Sequence, residues 1–185
     1  MADAIIGYDG NDATNEESIS FSSWAHRQNT TNTPEAVYTA NAGDRITKMW
    51  ANGRSWDVTD PILPRRVHLA VYTITGTAVK DLVATGNGIL MYASGWYSQI
   101  CDIALTAGTT YGLCAGQISG GTTYLYWKAD TSSPGDGPME SDNNNTFLDP
   151  FQRQTTRTRT MLMYGEITFA AAPATSGGMQ VSLIV

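Results

Sequence analysis

The chain has 185 residues, a formal net charge of −6, 15% charged residues and 10% aromatic residues. That length suits one domain with a core of its own, and the acidic balance sets it against a nucleic-acid backbone as principal partner. No membrane span is legible, because the uncharged stretch 167–185 is broken by Pro173, Gly177 and Gly178; residues 1–10 carry neither the basic start nor the apolar run of a signal peptide.

Glycine and threonine are plentiful, and no window has the period of an amphipathic helix, so the expectation is an all-β protein rich in turns. In chain order, residues 4–8 form a short apolar start, followed by the acceptor-rich turn Asp9, Gly10, Asn11, Asp12. Residues 19–24 read as an early strand with Ile19 and Phe21 on one face. A polar loop spans 29–34, residues 36–40 make a brief strand or turn, and Asn41-Ala42-Gly43-Asp44 turns the chain. In the strand 45–51 simple alternation puts Ile46, Lys48 and Trp50 on one side and Thr47 and Met49 on the other, which leaves its buried face ambiguous. After Pro61 and Pro64 comes the cleanest strand, 67–74, with Val67, Leu69, Val71 and Thr73 on one face and His68, Ala70, Tyr72 and Ile74 on the other. Gly76 marks a turn, 78–84 a further strand, 86–88 a turn and 89–93 a short strand.

The organising stretch is 95–115. Ile103 and Leu105, then Tyr111, Leu113 and Ala115, alternate as half-buried strands do, around the turn Thr106-Ala107-Gly108-Thr109. A plain hairpin and an arch between two sheets both fit. Tyr111 shortly after Gly108 favours the arch, since it resembles the tyrosine corner in which a ring enters the core and its hydroxyl returns to nearby backbone. In a tight hairpin Cys101 and Cys114 would face each other within disulfide range; in the arch Cys101 points to the core, Cys114 away, and both thiols are free.

Gly120 and Gly121 suggest a hairpin joining 111–118 to 122–128. Residues 130–149 form the longest irregular segment, and such segments often bind. Residues 154–160 and 161–169 give one or two strands. A Pro-Gly-Ser linker, 170–178, then precedes a strand-like tail, 179–185.

Chemistry-bearing residues are few. His68 sits on a strand and His26 in a polar loop without a triad pattern, while Glu140 and Asp142 read as solvated loop carboxylates. Asp9, Asp12, Asp136 and Asp142 offer hard oxygen ligands on flexible backbone, the donors Ca2+ would take, but without EF-hand spacing; plain turn chemistry is the simpler reading, and no cofactor is expected. Trp50, Trp56, Trp96, Tyr97, Tyr124, Tyr126 and Trp127 can supply flat faces for sugar rings, with Trp56, Tyr126 and Trp127, next to loops, the ones to test. Half or more of these rings belong in the core, Trp96 foremost. Arg153, Arg157 and Arg159 form a basic cluster, the last two on one face if extended, suited to a protein partner. Val181, Leu183 and Val185 suit strand addition to a neighbour.

In order along the chain, Arg66-Val67-His68-Leu69-Ala70-Val71-Tyr72, then Leu82-Val83-Ala84, Gly95-Trp96, Leu105 through Tyr111, and Met163-Tyr164-Gly165 resemble the non-catalytic jelly-roll β-sandwich modules of phage virion proteins and of "choice-of-anchor" bacterial proteins. Gly76-Thr77-Ala78-Val79 and Gly112 depart from the pattern of such modules. The resemblance implies an N-terminal arm with the first strands over 1–42, a jelly-roll β-sandwich over 43–169 and a linker with docking strand over 170–185. It also implies a non-enzymatic virion structural protein, a capsid decoration, head-fibre or tail-associated component whose partners are other virion proteins and copies of itself; the missing signal peptide adds the expectation of synthesis in a host cytoplasm, with the virion as its location. The alternative is a carbohydrate-binding or receptor-binding module acting on a cell-surface glycan.

Overall fold

The computed structural model describes residues 4–10, 15–18, 23–27, 36–55, 66–119, 123–129, 139–142, 146–157 and 159–169. Among these residues every regular element is a strand: β1 (Ala4–Tyr8), β2 (Asn15–Ser18), β3 (Ser23–His26), β4 (Val37–Thr39), β5 (Arg45–Ser55), β6 (Arg66–Thr75), β7 (Ala78–Thr85), β8 (Ile89–Leu90), β9 (Gly95–Ala104), β10 (Thr110–Ser119), β11 (Thr123–Ala129), β12 (Met139–Asp142), β13 (Thr155–Arg157), β14 (Arg159–Met161) and β15 (Met163–Thr168). They form two antiparallel sheets packed as a β-sandwich, a front sheet of 7 strands and a back sheet of 8. In the front sheet β5 lies between β9 on one edge and β15 and β11 on the other, with β1 beyond β15 and β2 and β14 beside β11. The back sheet runs β13-β12-β3-β10-β6-β7, with β4 beside β10 and β8 beside β6. The strands of the first 42 residues therefore pair into both sheets.

Between the sheets, Ile6, Ile46, Met49, Leu125, Met161, Met163 and Ile167 from the front meet Trp24, Val67, Leu69, Val71, Leu113 and Met139 from the back. Each large side chain removed from water here contributes about 1.5–3 kcal/mol before ordering costs are counted. The strand β6 has the faces its alternation predicts.

In β5 the ambiguity has a structural cause. Pairing slips by one residue near Thr47 against both β15 and β9, so Ile46 and Met49, three apart, are both buried while Lys48, Trp50, Asn52 and Arg54 turn outward. Simple alternation had grouped Ile46 with Lys48 and Trp50, and the bulge separates them.

The turn after β9 is an arch: β9 lies in the front sheet and β10 in the back. Gly108 takes φ +76°, a left-handed conformation that favours glycine, and its N–H donates to Ala40 O at 2.8 Å. Tyr111 is buried, and its hydroxyl accepts from the Thr106 N–H at 2.8 Å. The two cysteines are consequently free and in different layers, Cys101 against the central core and Cys114 on the far side of β10.

The hairpin expected across Gly120 and Gly121 is not formed. The strand β11 pairs with β2, β5 and β14 in the front sheet, not with β10. Tyr111 and Leu113 face the core from one layer and Leu125 from the other. Alternation is the same in a hairpin and in a crossing, so the sequence pattern cannot separate them.

Candidate functional site

The two outward faces of the sandwich differ in cover. On the back sheet, Ala25, Ala70, Tyr72, Ile74, Val79, Cys114 and Phe151 make a second apolar cluster with Val37, Leu82 and Phe147 packed against it. The segment 146–154 is fastened across this face. Tyr72 donates to Leu148 O at 2.7 Å, Phe151 N to Lys80 O at 2.8 Å, Gln154 N to Ser141 O at 2.8 Å, and Leu82 N to Asp149 Oδ1 at 3.0 Å.

Beneath that cover lies Glu140, which reading as a loop carboxylate had placed in solvent. It is 0% exposed, in β12 rather than in a loop, with Arg27 and Arg153 guanidiniums each 3.5 Å from its Oε1 and the Val79 N–H donating to Oε2 at 3.2 Å. Burial pushes its carboxyl above the usual range, opposed by the Val79 N–H and by the two arginines. Strand pairing that buries a carboxylate between two arginines is invisible to local sequence.

His68 lies on the same face but leans toward the loop after β7, its Nδ1 3.4 Å from Gly86 O. Across the sheet, Ser23 and His68 flank Gly116. A Cβ at Gly116 would lie 2.7 Å from the Ser23 hydroxyl and 2.9 Å from the Phe147 ring, so that ring packs closely over Gly116 beside Ser23, while His68 is turned to Gly86 and Gly88. His26 is inside the sandwich, not in a loop. Its Nε2 is 3.1 Å from Met161 O, tying the back sheet to the front, and burial holds it down to about 4. The Cys101 thiol is pushed up to about 11 by burial, away from the low values of nucleophilic cysteines.

The front sheet presents the aromatic side chains. Past the β5 bulge, alternation aims Trp50, Asn52 and Arg54 outward, and pairing brings Tyr164 beside Trp50 and Trp96 beside Asn52. The Trp50 and Tyr164 rings are nearly parallel (13°) with centroids 5.8 Å apart, and Trp96 meets Tyr164 edge-on at 5.3 Å. Because face-to-face contact would be about 3.5–4 Å, the parallel pair is offset and leaves ring surface uncovered. Trp50 Nε1 donates to Glu166 Oε1 at 2.7 Å, and Lys48 Nζ lies 4.0 Å from the centre of the Trp50 ring. Arg54 forks onto Glu16, with Nε to Oε2 at 2.8 Å and Nη2 to Oε1 at 2.5 Å, and lies over Tyr124 at 5.4 Å. Among the described residues the Asn52 side-chain amide takes no hydrogen-bond partner. Trp96, expected in the core, is instead half-buried on this face. It precedes Tyr97, which faces inward and binds the backbone of Tyr92 and Ala93.

Of the sugar-contact residues named from sequence, Tyr126 is on this face with its hydroxyl 2.6 Å from Ser94 Oγ. Trp127 is described by its backbone alone, opposite Met161. Trp56 lies outside the described residues, just past β5. Sequence reading had grouped Trp50, Trp96 and Tyr124 among possible rings without giving them one face, and it passed over Tyr164 and Asn52. The signal available was Met163-Tyr164-Gly165, whose central ring is flanked by inward positions.

The arginines do not make one row. Arg153 is 57% exposed beside Glu140. Arg157 is in β13 of the back sheet and Arg159 in β14 of the front, where it lies over Trp24 at 5.8 Å. Val181, Leu183 and Val185 lie outside the described residues. So do Asp12 and Asp136; Asp9 is exposed, and the backbone of Asp142 pairs with Ser23. Among the described residues no group of three or more His, Cys, Asp or Glu is placed to hold a metal ion, and no helix is long and apolar enough to cross a membrane.

No family model matches the chain, and no curated protein does. Among solved structures it is similar to a clostridial cysteine protease, Cwp84 after propeptide cleavage, with a TM-score of 0.57 and 8% identity over 90% of this chain. The chain spans 40% of that chain's length. At such identity the likeness carries the fold alone.

Proposed function

We propose that this protein is a non-catalytic binding module that holds a glycan on the outer face of its front sheet. One observation carries the reading: Trp50, Tyr164 and Trp96 share one outward face, partly exposed, around the side-chain amide of Asn52, which takes no partner among the described residues. Sugar rings present apolar C–H faces edged by hydroxyls, so they are met by aromatic surface next to an amide able both to donate and to accept. The raised Cys101 thiol, the buried His26 and the turn of His68 toward Gly86 support the non-catalytic part.

The test is a glycan array followed by calorimetry with wild-type protein, Trp50→Ala and Trp96→Ala. Each substitution is expected to weaken binding by roughly 10-fold or more, with the circular dichroism spectrum unchanged. Unchanged affinity in both variants would refute this face as the site.

A second reading, incorporation into a virion by docking on other copies or other virion proteins, has one observation in its favour. The ten-residue strand β9 pairs with β5 alone among the described residues and carries Ile100, 83% exposed, an edge of the kind that accepts an added strand. Deleting residues 179–185 should then lower oligomer mass by light scattering and abolish particle incorporation; no change in either rejects the tail as the docking strand.

A further inference from the structure

The charged groups around the aromatic face narrow the class of glycan. Among the described side chains, the cations Lys48 and Arg54 reach this face, and the carboxylates Glu16 and Glu166 accompany them. Arg54 has committed one of its two planar donor edges to Glu16 and lies over Tyr124, so its charge is already matched by a carboxylate before a sugar carboxylate or sulfate arrives. Lys48 rests on the Trp50 ring, opposite Glu166 in the strand pairing. At the rim Arg45 is paired with Asp102. Glu166 and Asp9 push the Tyr164 hydroxyl in the same direction as burial does, upward, so the centre of the face resists added negative charge. Beyond the face, the net charge of −6 repels anions at longer range.

We infer that the front face selects neutral oligosaccharides over uronic, sialylated or sulfated ones, with Asn52 reading ring hydroxyls between Trp50 and Trp96. This rests on the glycan-binding reading above. Recognition then comes from ring contact and neutral hydrogen bonds, and it depends little on salt.

The experiment titrates the full chain with neutral probes (cello-, malto-, manno- and galacto-oligosaccharides) and acidic ones (oligogalacturonate, sialyllactose, heparin fragments). Measurements run at about 0.05 M and about 0.5 M salt, a range over which screening of exposed charges changes severalfold. The expected result is binding to at least one neutral series, at least ~10-fold tighter than to any acidic probe, with a nearly salt-independent constant. Glu16→Gln, which releases the Arg54 fork at a partly exposed site, should raise affinity for acidic probes severalfold and leave neutral ones unchanged. Acidic probes binding as tightly as neutral ones, with Trp50→Ala still abolishing the interaction, overturns the neutral preference and keeps the glycan site. Absence of binding to every probe overturns both.

Discussion

The back and front faces of this sandwich carry comparable apolar material and treat it differently. Behind, Tyr72, Ile74 and Val79 are sealed by the segment 146–154, whose Phe151 packs against them, and even the carboxylate of Glu140 is enclosed with them. In front, Trp50, Trp96 and Tyr164 are braced against one another and by Lys48, yet remain partly open to water. A chain that covers one aromatic face with its own backbone and braces the other has, under the glycan-binding proposal, front rings held in place by their own contacts before a sugar arrives. Ordering them beforehand removes an entropic cost that binding would otherwise incur.

The contrast can be broken most directly by truncating one ring on each side. Phe151→Ala should cost about 4 kcal/mol of unfolding free energy, the cost of emptying a packed aromatic site, and leave the proposed sugar affinity intact, whereas Trp50→Ala should cost about 1 kcal/mol and weaken binding by roughly 10-fold or more. Urea denaturation beside calorimetry measures both, and equal stability losses would erase the distinction between cover and platform.

The interior joining the two faces should respond to acid through His26. Its folded value of about 4 lies below the ordinary 6.5 because burial disfavours the charged ring. The resulting stabilisation is complete above pH 6.5 and drains away as pH falls toward 4, by about 3 kcal/mol. Glu140 acts in the opposite sense, its carboxyl raised by burial, so the comparison to make is wild type against His26→Gln at pH 7 and pH 4. The variant should show a smaller acid loss; identical slopes would count against the buried imidazole as its source.

Glu140 sharpens the picture of the covered side. Glu140→Ala removes the carboxylate 3.5 Å from the buried Arg27 guanidinium and should cost about 3 kcal/mol, while Arg153→Ala, at a site more than half exposed, should cost under about 1 kcal/mol. At the crossing between layers, Tyr111→Phe leaves the Thr106 N–H without its acceptor and should cost about 1 kcal/mol. All three are read from denaturation midpoints. A silent Glu140→Ala would mean that the segment 146–154 holds the back face without the ion pairs.

The all-β class, most strand positions, the faces of β6 and the corner at Gly108 and Tyr111 were legible in the residues themselves. Each depends on a period of two or on a turn requirement satisfied within a few positions of the chain. Tertiary structure alone decided that β10 and β11 lie in opposite layers, that a bulge near Thr47 turns Trp50 outward, and that Trp96 is on the surface. It alone brought Glu140 between Arg27 and Arg153. These depend on which strand lies beside which, and pairing partners distant in sequence leave no mark on local alternation. A ring or a carboxylate is written in the chain, but whether it meets water is settled by the strand or segment that comes to lie across it.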